Sequence, residues 1–145
     1  ELGCGITARG NGVAVAGGPL RAGTCRFDLQ NMPDLVPTLA VLAAVRPGRT
    51  VIANVAQLRI KESDRLAALA AELRKMGVPV EEKPDGLVFD GGNPHGAEIE
   101  TCNSHRIAMS FAVLGLVVPG VKIRNPRCVD KSFPCFWREL NKLYD

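Results

Sequence analysis

GCGITARGNGVAVAGG (residues 3–18) and GVPVEEKPDGLVFDGG (residues 77–92) align without a gap, and this self-match decides the fold. Gly3 falls on Gly77, Ile6 on Val80, Gly12 on Gly86, Val13 on Leu87, Val15 on Phe89, and Gly17-Gly18 on Gly91-Gly92. Each stretch holds two short apolar runs around turn residues, Asn11-Gly12 in the first and Pro84-Asp85-Gly86 in the second. That pattern predicts a β-hairpin twice over.

A second self-match flanks the first. Pro47-Gly48 closes one apolar helix and Pro119-Gly120 another, and Arg49-Thr50-Val51-Ile52 then parallels Val121-Lys122-Ile123 as a strand. Lys61-Glu62-Ser63 parallels Lys131-Ser132 ahead of a further helix. The repeat is longer than solenoid periods, so it marks large supersecondary units rather than a solenoid. Each unit reads strand, helix, strand, helix, hairpin. The chain opens on Glu1, and its first residues read as a helix ending at a glycine. It therefore divides into a tail hairpin of a preceding unit (1–20), a complete unit (21–92) and most of a last unit (93–145).

Four helices are expected. Those over 34–45 and 105–118 are apolar almost all round, which predicts burial. The second, 64–76, carries one stripe of Leu66, Leu69, Ala70, Leu73 and Met76 and stops at Gly77. The fourth begins near Ser132, read as its N-cap.

Composition narrows the function. The 145 residues are 46% hydrophobic and 23% charged, which suits one compact unit and excludes a disordered chain. A net charge of +3 with interspersed signs and 5% aromatic residues argue against a nucleic-acid binder. The longest apolar run, 107–118, contains Ser110 and falls short of the ~20 residues of a membrane span. No basic, then apolar, leader opens the chain, so no signal peptide is expected. Five cysteines without a C-x-x-C pair read as free thiols of a cytoplasmic protein rather than a disulfide or zinc framework.

Polar signatures collect at the helix starts. Asp34 opens the first, Lys61, Glu62 and Arg65 surround the second, Ser104, His105 and Arg106 open the third, and Lys131 precedes the fourth. Helix N-termini favour anions, and Arg forks onto planar oxyanions. If the ends converge, the result is a cationic surface for phosphate and carboxylate, with Asp34 and Glu62 held ionised as bases. Each residue alone has a plainer reading. Asp34 could be a cap, Lys61 and Arg65 could pair with Glu62 or Asp64 on a solvated face, and His105 could be structural. Their joint occurrence at repeat-phased helix starts favours a site.

These segments resemble a known family. Arg59-Ile60-Lys61-Glu62-Ser63-Asp64-Arg65-Leu66, followed by Glu72-Leu73-Arg74-Lys75-Met76-Gly77, is similar to the R-x-K-E-[ST]-D-R signature of the 5-enolpyruvylshikimate-3-phosphate (EPSP) synthases. Met32-Pro33-Asp34 resembles their M-P-D segment, His105-Arg106-Ile107-Ala108-Met109 their D-H-R-[IM]-A-M segment, and Lys131-Ser132-Phe133-Pro134 their K-[ST]-F-P segment. The resemblance implies an inverse α/β fold of the enolpyruvyl-transferase type. Each of its two domains has three βαβαββ units around buried helices, and the active site lies between the domains. This chain resembles about two of the three units of the C-terminal domain, leaving an N-terminal domain without counterpart.

The implied reaction moves the enolpyruvyl group of phosphoenolpyruvate to the 5-hydroxyl of shikimate 3-phosphate, with no metal or organic cofactor. By motif, Asp34 acts as acid/base at the hydroxyl and Glu62 exchanges protons with the methylene carbon. Arg65, Arg106 and Lys131 hold phosphoenolpyruvate, Lys61 and Gln57 belong to the shikimate phosphate side, and His105 supports the site. Three residues depart from the family pattern: Ser104 stands for its Asp, Gln57 for its Asn and Cys135 for its acidic residue after F-P. The rival readings are a UDP-N-acetylglucosamine enolpyruvyl transferase and a non-catalytic anion-binding or assembly module. Uncovered apolar surface also predicts self-association.

Overall fold

The computed structural model describes residues 2–61 and 63–144. The two self-matched segments are both hairpins and share one register. Strands β1 (Gly5–Arg9) and β2 (Gly12–Ala16) pair so that Ile6 faces Val15. The later hairpin, described below as β5 and β6, sets Val80 opposite Phe89 in the same way. The connections are Gly10-Asn11 and Pro84-Asp85, so Gly12 and Gly86 are strand residues rather than turn residues. Gly86 is needed there because a Cβ would stand 1.9 Å from the Ile52 carbonyl oxygen of the neighbouring strand.

The stretch from Cys25 onward follows the expected order. Strand β3 (Cys25–Asp28) leads through a 3-10 turn (Pro33–Leu35) into α1 (Val36–Ala44), then β4 (Gly48–Ala53). A second 3-10 turn (Ala56–Ile60) precedes α2 (Arg65–Lys75), and the hairpin β5 (Val80–Lys83) and β6 (Gly86–Gly91) follows. The four strands form one sheet, β3-β4-β6-β5, in which β3 and β4 are parallel and the other neighbours antiparallel. A shorter echo comes next: β7 (Glu98–Ile99), α3 (His105–Leu114), β8 (Lys122–Ile123) parallel to β7, a 3-10 turn (Pro126–Val129) and α4 (Phe136–Asn141).

The α2 stripe is buried as its spacing predicts. Leu66, Leu69, Ala70, Leu73 and Met76 are all fully covered. Asp64 caps the helix, its Oδ1 accepting from the Ala67 N–H at 2.9 Å, and Gly77 at φ +83° ends it. The same core takes Val36, Ala40 and Val41 from α1, Ile107, Phe111 and Leu114 from α3, and Ile52, Leu87 and Phe89 from the sheet. Arg46 is buried completely among backbone carbonyls. It donates to Gly23 at 2.9 Å, Arg21 at 3.0 Å and Arg49 at 2.9 Å, and ties the link after the first hairpin to the start of β4.

Three expectations are corrected. α1 and α3 are not buried all round. They cover each other, with Thr38 and Ser110 hydroxyls 3.3 Å apart, but Leu42 and Val113 remain exposed along a groove whose mouth carries Asp34 and Arg106. Apolar composition on every side demands a neighbour on every side, and the described residues supply one on part of each circumference. α3 also ends at Leu114 rather than 118, where Gly115 interrupts a good helix-forming run. The fourth helix begins at Phe136, not near Ser132, because Pro134 disfavours helical backbone at Phe133. Among the described residues no helix is long and apolar enough to cross a membrane.

Candidate active site

The site starts from a proline. Pro33 sits in the first turn of the 3-10 segment, where its fixed φ suits a helix start, and Asp34 follows it at the solvent edge. The Asp34 side chain does not cap this turn or α1. Its carboxylate instead joins two arginines from the other helix starts. Oδ1 lies 3.2 Å from Arg65 Nη1 on α2, and Oδ2 lies 2.8 Å from Arg106 Nη2 on α3. Arg106 Nη1 also donates to the Asp34 carbonyl at 3.4 Å. Arg65 is nearly buried, its side chain 8% exposed, whereas Asp34 is 53% exposed and faces the open side.

Beside this node a cavity of about 360 Å³ opens between three element starts. Ser63 and Arg65 come from the start of α2, Ser104 and His105 from the start of α3, and Lys131 and Ser132 from the turn ahead of α4. Ser104 caps α3, its Oγ accepting from the Ile107 N–H at 3.4 Å. The carboxylate that orients Arg106 is Asp34, 72 residues away in sequence. Lys131 Nζ donates to the Asn103 carbonyl at 2.9 Å, which holds the ammonium at the cavity rim.

The remaining expected residues fall as follows. Gln57 Nε2 donates to the Gln30 carbonyl at 3.0 Å, so Gln57 braces the loop that leads to Asp34. Lys61 is exposed and follows the Ala56–Ile60 turn in extended backbone. Glu62 lies outside the described residues. Cys135 is half-buried in the turn before α4. The structure thus brings Asp34, Arg65 and Arg106 into direct contact and sets His105 and Lys131 around the adjoining cavity.

Two lining residues were not singled out from the sequence. Cys102 and Asn103 both adopt left-handed backbone, φ 47° and 57°, immediately before the Ser104 cap. The signal was an asparagine next to a helix start, a residue that tolerates this conformation. Cys102 is exposed, but partial desolvation, reinforced by the neighbouring Glu100 carboxylate, pushes its thiol above the ordinary range.

Chemically, the arrangement offers one exposed carboxylate between two guanidiniums. The Lys131 ammonium and the N-terminal end of α3 lie alongside. Three cations, Arg65, Arg106 and Lys131, stand against the one carboxylate of Asp34, a setting that suits an anion by both charge and directed hydrogen bonds.

Comparison with known proteins identifies the family. The family model for EPSP synthase (3-phosphoshikimate 1-carboxyvinyltransferase) matches residues 1–140. The 3-phosphoshikimate 1-carboxyvinyltransferase of Syntrophobacter fumaroxidans is 50% identical over 146 residues, covering 99% of this chain and 34% of that protein. The crystal structure of EPSP synthase from Acinetobacter baumannii superposes with a TM-score of 0.85 at 29% identity, covering 98% of this chain and 36% of that one. The enolpyruvyl transferase NikO from Streptomyces tendae shares the fold, with a TM-score of 0.70 at 24% identity over 98% of this chain and 33% of that one. The chain spans about a third of the length of these relatives. With the family model matching residues 1–140 and a relative 50% identical across 99% of the chain, this chain belongs to the EPSP synthase family.

Proposed function

We propose that this chain supplies one wall of a 3-phosphoshikimate 1-carboxyvinyltransferase, which moves the enolpyruvyl group of phosphoenolpyruvate to the 5-hydroxyl of shikimate 3-phosphate and releases phosphate. The observation that carries the reading is the Asp34 carboxylate held at 3.2 and 2.8 Å between Arg65 and Arg106 beside the cationic cavity. Two anionic substrates need several cations, and a hydroxyl that must lose a proton needs a carboxylate within reach. In this scheme Asp34 takes the hydroxyl proton and Glu62 exchanges protons with the methylene carbon. Arg65, Arg106 and Lys131 bind phosphoenolpyruvate, Lys61 and Gln57 serve the shikimate phosphate side, and His105 supports the site.

The other wall is an N-terminal domain, as the coverage of a third of each relative suggests. We read residues 1–20 as the hairpin of a preceding unit, 21–92 as a full unit and 93–145 as most of a last one. Five free thiols favour a cytoplasmic location. The chain alone should bind phosphate or phosphoenolpyruvate weakly and turn nothing over, since half a cleft neither orients two substrates nor excludes water.

The test is reconstitution. The purified chain is assayed alone and with a complementing N-terminal fragment, following phosphate release from phosphoenolpyruvate with shikimate 3-phosphate. Turnover with the fragment and none without it is expected. Turnover with UDP-N-acetylglucosamine instead, or no anion binding in either state, would overturn the reading.

A further inference from the structure

The mechanism leaves one fully engaged guanidinium unused. Arg59 stands in the Ala56–Ile60 turn, two residues before Lys61, with its side chain 25% exposed. Nε donates to the Pro84 carbonyl at 2.7 Å, in the turn between β5 and β6, and Nη2 to the carbonyl of Lys83, the last residue of β5. Nη1 reaches two carboxylates at 2.8 Å, Asp64 Oδ2 and Glu82 Oε1. Every nitrogen of the fork therefore has an acceptor within the protein, and four of its five N–H groups are taken up in this way. Asp64, the neighbour of Arg65 in sequence, is shared in turn: its Oδ1 caps α2 through the Ala67 N–H.

From this geometry we infer that Arg59 is a positioning residue that fixes the backbone carrying Lys61 and Arg65. The link from Arg59 to Asp64 joins the two ends of the stretch that bears these cations. The links to Lys83 and Pro84 fasten that stretch to the rigid hairpin β5–β6. Arg65 in turn reaches Asp34, so a displacement at Arg59 travels through Asp64 to the first turn of α2 and then to the carboxylate. Lysine keeps the charge at this position but has no planar fork, and a point ammonium cannot serve two carbonyls and two carboxylates set around a plane. This inference rests on the function proposed above, because its consequence is read in substrate affinity.

The test uses the full-length enzyme and three variants: Arg59→Lys, Arg59→Ala and Asp64→Asn. Asparagine keeps the cap oxygen for Ala67 while losing the charged link to Arg59. The readouts are KM for both anionic substrates, kcat, melting temperature and amide exchange at Lys61 and Ser63. In Arg59→Lys we expect KM to rise at least tenfold with a smaller change in kcat, and exchange at Lys61 and Ser63 to quicken. Asp64→Asn should reproduce part of that effect and add little when combined with Arg59→Lys. Millimolar ethylguanidinium should recover part of the affinity of Arg59→Ala. Unchanged KM and exchange with a lower melting temperature would overturn the inference, leaving Arg59 a fold-stabilising residue. If the parent enzyme binds no anion, the functional reading fails instead. Exchange at Lys61 and Ser63 then decides the clamp by itself: quickening upholds it, and no change refutes it.

Discussion

Asp34 and Arg106 lie 72 positions apart in sequence, and their side chains meet at 2.8 Å at the starts of two helices. The same carboxylate takes Arg65 at 3.2 Å on its other oxygen, so three separately encoded elements close on one atom group.

Replacing Asp34 by Asn separates chemistry from stability. The pair with Arg106 is exposed and contributes about 0.2–1 kcal/mol, whereas Arg65 is nearly buried and its charged link contributes about 1.5–3 kcal/mol, so the melting temperature of the chain should fall by several degrees. In the reconstituted enzyme the same change removes the proton acceptor, and kcat should fall by ~10²–10⁴. Thermal melts and steady-state kinetics on one preparation check both halves.

Arg106→Ala should act on affinity instead. Losing one charged hydrogen-bond donor costs about 1.5–3 kcal/mol, a loss of roughly ten- to a hundredfold in phosphoenolpyruvate binding. Glu62→Gln, which keeps shape and removes a base, should lower turnover by ~10²–10⁴ with a smaller effect on binding. If both variants keep normal kinetics and simply melt earlier, the catalytic assignment falls and the fold assignment stands.

The paired hairpins give an internal control on packing. At Gly86 an added methyl would meet the Ile52 carbonyl at 1.9 Å, whereas at Gly12, its counterpart, the nearest atom is 3.7 Å away. Gly86→Ala should cost at least about 1–3 kcal/mol, the range for overpacking, and Gly12→Ala should stay within about 0.5 kcal/mol. Urea titration of the two variants makes the comparison, and equal costs would contradict the packing described for β4 against β6.

The uncovered face of the first hairpin should make the isolated chain associate. Ile6, Val13 and Val15 are 65–70% exposed, while Val80, Leu87 and Phe89 at the matching places of the second hairpin are buried. Sedimentation should show concentration-dependent pairing, reduced by Val15→Lys. A tight monomer at high concentration that binds no apolar dye would count against it.

What could be read from the sequence was whatever depended on local pattern. The α2 stripe, its Asp64 and Gly77 ends and the two hairpins follow from spacing and turn chemistry, and all are found. The family motifs point to Asp34, Arg65 and Arg106 from the sequence alone. Their mutual pairing was hidden, because it depends on how α1 and α3 pack. The placement of Lys131 was hidden for another reason: its partner is the carbonyl of Asn103, whose left-handed backbone leaves no periodic trace. The late start of α4 came from Pro134, whose effect on the preceding residue outweighs the capping preference of Ser132. The exposed flanks of α1 and α3 show that an apolar segment states a need for cover without saying what meets it.

Arg46 and Arg106 are both arginines that organise this chain, yet ionic strength should drive them apart. Arg46 is sealed among carbonyl oxygens, with no carboxylate among the partners described, so dissolved ions neither reach it nor screen its short dipolar bonds. Arg106 and Asp34 stand in water, where added salt weakens their attraction and buffer anions compete for the same guanidinium. Concentrated sulfate or phosphate should therefore occupy and loosen the substrate end while the joint between hairpin and sheet holds, and apparent affinity in such buffers would measure the buffer as much as the protein.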